Sequence, residues 1–524
     1  VQLRNLDHAD RNFAMKRLAV FAAIAMLQPT SPAFADSVSE QAASEALSAM
    51  ASDRASLRVF LQAMPKGGDL HNHLGGVPSA EDWLGWAEDA GYCADRGTLA
   101  LLPPPCKDAD KISLIATSQP FEYARLVDHF STRGWQRGIG ANEVSGHTQF
   151  FRVFERIGPV VPIKGIDPAM LTVAMRNAAS ANAAYLELMH TPSPVGAFIA
   201  AAPTEPLDAA GLPARLAREL PGVASMVAAS RAVLDKDEAT VRTTLKCGTA
   251  AAEPACDLAM KYLGTGLRAL PPGAAFRSLL AGFALAAADP RYVGVNIAMP
   301  EDWPVARRDY DLHMAMFKLL KQTYPGVHVT MHAAEVALDL VPPADQKDHM
   351  RKAIEAGAER IGHGTGIAME ADADATLRRM AREGIAVEIN LSSNAVILGV
   401  SGSNHPLHLY RRYGVPVMLS TDDEGILRTD LTNEYVRAVT DQGLGYRDLK
   451  QMARASLEHA FLPGESIWQS STPGKPVAAC VSSLGSTGCR ALIARSEKAA
   501  VQARYELKLE EFEKTATGYP KKPI

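Results

Sequence analysis

Seven consecutive residues, Gly68-Asp69-Leu70-His71-Asn72-His73-Leu74, join a short apolar run to a His-x-His pair. In a strand, residues two apart point to the same face, so His71 and His73 would present two imidazoles together. Two such nitrogens can hold one divalent cation. Three later segments strengthen the pattern: His332-Ala-Ala-Glu335, Arg360-Ile-Gly-His363-Gly and Ser420-Thr-Asp422-Asp423. Each lies at or just after a short apolar run. A single histidine is usually a hydrogen-bonded structural residue. Several histidines and carboxylates at the ends of separate runs point instead to a hydrolytic metal site.

Zinc in hydrolases takes nitrogen and oxygen ligands and keeps one position for water, whose pKa it lowers to about 7. His71, His73 and His332 are the expected nitrogen ligands and Asp422 the oxygen ligand, for one zinc ion per chain. Glu335, three residues past His332, would stand beside that water and act as a general acid toward a ring nitrogen of the substrate; a surface ion pair is the plainer reading. His363 is flanked by glycines that allow close approach. It would position or deprotonate the water, or else ligate the metal, and spacing does not separate these roles. Asp423 would accept a hydrogen bond from substrate, or cap the turn that follows it.

These residues need strand ends to carry them. The expected strands are Leu70–Leu74, Tyr185–Leu188, Val223–Ala228, Val293–Ala298, Val327–His332, Arg360–Gly362, Ile385–Leu391 and Val415–Ser420, each followed by helical sequence. Eight such units predict an α/β fold, a (β/α)₈ TIM barrel with an insertion after the first strand. A doubly wound open sheet is the rival. In a barrel the functional residues belong at the C-terminal ends of the strands, which is where His71, His73, His332, His363 and Asp422 fall.

The barrel is expected over 64–468, with 36–63 an N-terminal helical arm (helix over 37–63) and 469–524 a C-terminal loop and helix. Residues 77–165 read as an insertion carrying the aromatic helix Phe150–Phe154, whose phenylalanines would either wall a pocket or serve as ordinary core. Residues 230–285 and 468–492 read as further low-order insertions. Six cysteines form three close pairs, Cys93/Cys106, Cys247/Cys256 and Cys480/Cys489. In an exported chain, disulfides within these pairs are the economical expectation, with reduced buried thiols the other reading.

Export itself is expected from the N-terminus. Met15-Lys16-Arg17 is a positive region, Leu18 to Leu27 an apolar one too short to span a bilayer, and Ala33-Phe34-Ala35 a cleavage signal. Residues 1–35 therefore read as a signal peptide with an over-extended start, giving a periplasmic or secreted protein. The composition is globular, 47% hydrophobic, and the net charge of −4 gives no reason to expect nucleic acid or a membrane as partner. Neither monomer nor homodimer is selected.

As an ordered set, several motifs resemble the metal-dependent adenosine deaminase family, and its secreted, growth-factor-like branch in particular. They are Met64-Pro-Lys-Gly-Gly-Asp-Leu-His-Asn-His73, Tyr185-Leu-Glu-Leu188, His332-Ala-Ala-Glu335, Arg360-Ile-Gly-His-Gly-Thr365, Glu388-Ile-Asn-Leu-Ser-Ser-Asn394, His405-Pro406, Ser420-Thr-Asp-Asp-Glu424 and Phe461-Leu-Pro-Gly-Glu465. The resemblance implies a (β/α)₈ barrel, one zinc ion and hydrolytic deamination of a purine nucleoside, adenosine or deoxyadenosine. It implies that Glu335 protonates purine N1, His363 orients the attacking water, and Asp423 accepts a proton at N7. Ser392-Ser393-Asn394 would support the site from behind.

Three positions depart from the family pattern: Ala334 where glycine is usual, Asn296 where aspartate is usual, and Met299 where a glycine lies against the purine. Gly294 and Met299 are the expected base contacts, and Met299 leaves the nucleobase open. Other readings remain: a deaminase of another aminopurine or amino-heterocycle, a hydrolase of esters, amides or phosphates, or a non-catalytic nucleoside-binding or signalling protein on the same barrel.

Overall fold

The computed structural model describes residues 38–135, 145–338, 340–470, 472–516 and 518–519. The signal-peptide reading for 1–35 lies outside the described residues.

Eight strands form one parallel sheet: β1 (Lys66–His73), β2 (Ala183–Met189), β3 (Ala259–Leu267), β4 (Tyr292–Ala298), β5 (His328–Ala333), β6 (Arg360–His363), β7 (Ala386–Ile389) and β8 (Val417–Leu419). Each pairs with the next in sequence. A bridge between Asn72 and Asp422 closes the ring, where His73 N–H donates to the Asp422 carbonyl (3.1 Å) and Asp422 N–H to that of His71 (2.9 Å). Helices such as Pro272–Ala288 and Ala373–Glu383 return the chain between strands. This is a (β/α)₈ barrel. Its strands are covered on both faces, so they read as near-continuous apolar runs.

The third strand is not where the sequence reading put it. Val223–Ala228 lies inside one long helix, Leu212–Thr244, whose buried residues Leu216, Val223, Met226, Ser230, Leu234, Asp237 and Val241 recur at helical spacing. A short apolar run does not by itself distinguish strand from helix. The true β3 falls in the stretch read as a low-order insertion, 230–285, and Lys261, Gly264 and Gly266 dilute its apolar pattern. Those glycines have a packing reason: a Cβ on Gly264 would stand 2.5 Å from the Gly282 Cα of the neighbouring helix. The expected single helix over 37–63 is also two, α1 (Val38–Met50) and α2 (Arg54–Ala63), because Asp53 caps the second by accepting from the N–H groups of Ala55 and Ser56.

All three cysteine pairs are joined as expected: Cys93–Cys106, Cys247–Cys256 and Cys480–Cys489. The first lies in the insertion, which folds beside the C-terminal mouth of the barrel. Its helix Gly146–Ile157 meets the loop after β4, with His147 Nε2 3.0 Å from Asp302 Oδ1 and Phe151 against Trp303. Phe150 is buried core, edge-on to Phe151 and Phe154.

The opposite end, from which β4, β5 and β6 start, is plugged by Phe461. The Arg360 guanidinium lies 3.8 Å from its ring centre, and His328 stacks on it. Beside β1, the buried Lys66 ammonium donates to the carbonyls of Leu61, Met64 and Ala181. Among the described residues no helix is long and apolar enough to cross a membrane.

Candidate metal centre and active site

β1 delivers His71 and His73, β5 delivers His332, and the turn after β8 delivers Asp422. His71 Nε2 and His73 Nε2 each lie 3.1 Å from His332 Nε2. Asp422 Oδ1 is 3.5 Å from His71 Nε2 and 3.2 Å from His73 Nε2. A tetrahedral zinc ion with bonds of about 2.0–2.1 Å has ligand–ligand edges of about 3.3 Å, so the four atoms are spaced for one ion.

Hydrogen bonding at the far side of the rings supports this fit. His71 Nδ1 is 2.6 Å from Glu388 Oε2, and His332 Nδ1 is 3.0 Å from Asn296 Oδ1. Both partners accept, so each Nδ1 carries the proton and each Nε2 turns a lone pair toward the same point. Facing lone pairs repel unless a cation sits between them. Asp422 Oδ1 is buried without a hydrogen-bond partner, while Oδ2 accepts from Ser393 Oγ at 2.6 Å. The electrostatics also call for positive charge. Burial works against a charged His71, but the Asp422 and Glu388 carboxylates beside it raise its pKa to about 10. Buried His71, His332, His363 and Asp422 are grouped closely enough to hold a metal ion, and His73, Asp422 and Asp423 form a second such group.

Glu335 follows β5 and is buried. Burial, then the charges of Asp422 and Glu301, push its carboxyl well above the usual range, which makes it a neutral acid and a donor. His363 Nε2 lies 3.6 Å from Glu335 Oε1 and 4.0 Å from Asp422 Oδ2. Burial holds His363 neutral, its pKa down to about 3. Asp423 is likewise pushed well above the usual range, by burial and by Asp422, and its Oδ1 has no partner. It fits its niche only because residue 76 is glycine: a Cβ there would lie 1.7 Å from Asp423 Oδ1.

The structure brings His71, His73, His332, Asp422, Glu335, His363 and Asp423 together. Gly294 stands apart and its assignment to substrate is corrected. It sits low in β4, where a Cβ would meet Phe461 at 2.8 Å and the His328 carbonyl at 3.0 Å, so its small size serves the plug. Met299 follows the C-terminal end of β4, with φ 81°. Asn296 faces the metal group through His332.

Four supporting residues were not singled out from sequence. Glu388 holds His71. Glu301 accepts the N–H groups of Ala334 and Glu335, both at 3.1 Å, and pairs with Arg268 and His349. Arg268 also donates to the His332 carbonyl. This grip matters because Ala334 turns through φ 55° without being glycine. The only signal was that Glu301 and Glu388 lie within or next to motifs already noted; Arg268 was hidden in the stretch mistaken for an insertion.

Residues 223–468 match the family model described as adenosine deaminase. An adenosine deaminase of Escherichia coli O7:K1 is 34% identical over 142 residues, 27% of this chain and 39% of that protein. An adenine deaminase of Sinorhizobium medicae is 30% identical over 219 residues, 42% of this chain and 62% of that protein. The chain thus matches less than two thirds of the length of either. Two solved structures share the fold. A zinc-bound amidohydrolase from Burkholderia ambifaria has TM-score 0.53 at 16% identity, covering 88% of this chain and 94% of its own. The adenine deaminase of Arthrobacter aurescens has TM-score 0.50 at 15% identity, covering 85% and 99%. Motifs, metal group and sequence matches point the same way: residues 223–468 match the adenosine deaminase family, and the chain resembles adenosine and adenine deaminases over part of its length.

Proposed function

We propose that the protein is a zinc-dependent hydrolase that replaces the 6-amino group of a purine by oxygen and releases ammonia, with adenosine or deoxyadenosine as substrate. The observation that carries this reading is a buried carboxyl, Glu335, beside the histidine–aspartate metal group, where burial favours its protonated form. Ester or phosphate hydrolysis does not require such a donor. Deamination does, because the ring nitrogen next to the attacked carbon must be protonated as the ring loses aromaticity.

His71, His73, His332 and Asp422 would hold the ion, which when bound supplies a water acidic enough to react near neutral pH. Glu335 gives its proton to N1, and His363 holds the attacking oxygen on one side of the ring. Asp423 was expected to accept at N7. Its burial beside Asp422 keeps it protonated, so it donates to the N7 lone pair instead. Met299 lies against the base. The relatives' names include both adenosine and adenine deaminases, so free adenine is the second reading.

The test is ammonia release by zinc-loaded protein from Asp36 onward, given adenosine, deoxyadenosine, adenine, AMP and cytidine separately. Turnover of a nucleoside alone supports the reading. Turnover of adenine alone moves the substrate, and silence across the panel with zinc bound removes the activity. We also propose export, on the three disulfides and the 15–35 pattern. Recovery of full-length, uncleaved protein from the cytoplasm alone would refute it.

A further inference from the structure

His363 is held from behind by a chain of hydrogen bonds that starts at a group with no choice of role. The backbone N–H of Leu407 can only donate, and it donates to His405 Nδ1 at 3.1 Å. The His405 proton must then be on Nε2, which lies 3.0 Å from Asn394 Oδ1. That bond fixes the Asn394 amide and turns its Nδ2 toward His363 Nδ1, 2.9 Å away. Asn390 Nδ2 lies 3.3 Å from the same nitrogen and 3.5 Å from His363 Nε2, so Asn394 alone makes the choice between them. His363 Nδ1 therefore accepts. A neutral imidazole that accepts at Nδ1 carries its proton at Nε2. His405, Asn394 and His363 are all buried, so water does not offer substitute partners.

We propose that Asn394 and His405 are positioning residues that lock His363 in the Nε2–H tautomer, so that His363 meets the attacking oxygen as a donor and neither takes its proton nor joins the metal ligands. This rests on the proposed deamination for its role, but the tautomer stands on geometry alone. It separates three uses of His363 that spacing left open, and it gives His405-Pro406, a motif far along the chain, a task in the site.

The experiment is long-range proton–nitrogen NMR on zinc-loaded protein labelled with ¹⁵N-histidine, with His363 assigned by loss of its signals in His363→Gln. The parent is expected to show His363 protonated at Nε2 alone. Cadmium-113 substitution should give coupling to three imidazoles and none to His363. His405→Leu is expected to mix the tautomers and lower kcat by about 10–100-fold with KM within about threefold. His405→Gln keeps a donor toward Asn394 and should recover most of kcat, which a purely structural role would not predict. Asn394→Asp offers an acceptor instead and should move the proton to Nδ1. A parent signal protonated at Nδ1, cadmium coupling to His363, or equal losses in the leucine and glutamine variants overturns the proposal. Should the parent deaminate nothing, the proposed activity fails, while the tautomer reading still decides this inference.

Discussion

At the mouth of the barrel, Met299, Ala334, His363 and Asp422 turn through positive φ of 81°, 55°, 64° and 63°, and none is glycine. Buried oxygens of Asp422, Asp423 and Asn390 have no partner there. At the other end the charged groups are fully engaged. Lys66 reaches three carbonyls, and Arg360 bonds Glu187, Glu388 and the His459 carbonyl over the face of Phe461. Strained, under-bonded positions cost of order 1–3 kcal/mol each and persist only where their surroundings over-determine them. The floor supplies part of that surplus: Glu388 gives one oxygen to Arg360 and the other to His71. The contrast teaches that the mouth keeps turned backbone and unpaired oxygens where a ligand would arrive, while Lys66 and Arg360 at the floor are bonded.

If the two ends are divided in this way, changes at the mouth should remove chemistry and spare the fold. His73→Ala should abolish ion binding and with it measurable turnover, read by metal analysis and ammonia release; full ion content would break the ligand assignment. Next in size, Glu335→Gln should keep the ion and the melting temperature but lose about 10³-fold in kcat, within the usual worth of a positioned acid. Wild-type turnover in that variant would remove Glu335 from its role.

Floor changes should do the reverse. Phe461→Ala should cost about 3–5 kcal/mol of stability in denaturant titration, with kcat/KM within about threefold. A larger catalytic loss would mean that the plug and the site are not separable. The last expected effect is one of pH and concerns Lys66. Burial lowers its pKa from 10.5 to about 7. Between those values the unfolded chain binds the extra proton, so this group makes stability rise with pH by about 1.4 kcal/mol per unit. Relative to Lys66→Met, the parent should thus gain stability from pH 7 to 10. A pH-independent difference would show that the three carbonyls keep the ammonium charged.

Metal ligation demands particular side chains at strand ends, which is why His71, His73, His332 and Asp422 stood out as candidates, with Glu335 and His363 nearby, and the fold brings them together. Seven of eight strands were legible because parallel strands are apolar runs. β3 was not, since Lys261 and two glycines interrupt it and the Val223 segment imitates a strand inside a helix. Gly294 was misjudged because which end of β4 opens to the site depends on register. Arg268 left no signal, and Glu301 none beyond its place beside a noted motif. Their work is done across neighbouring strands, where no local spacing records it.

The ring closes at Asn72 and Asp422, where β1 meets the turn after β8, and this seam is also where the candidate ligands His71, His73 and Asp422 meet. During synthesis the His-x-His pair emerges early and its carboxylate partner very late. If His71, His73, His332 and Asp422 hold an ion as proposed, the set is complete only once nearly the whole barrel has been made, and ion binding would belong to a late stage of maturation. An ion held there would rivet the two ends of the barrel's circuit, and chelation should then make that joint the first place to open under protease.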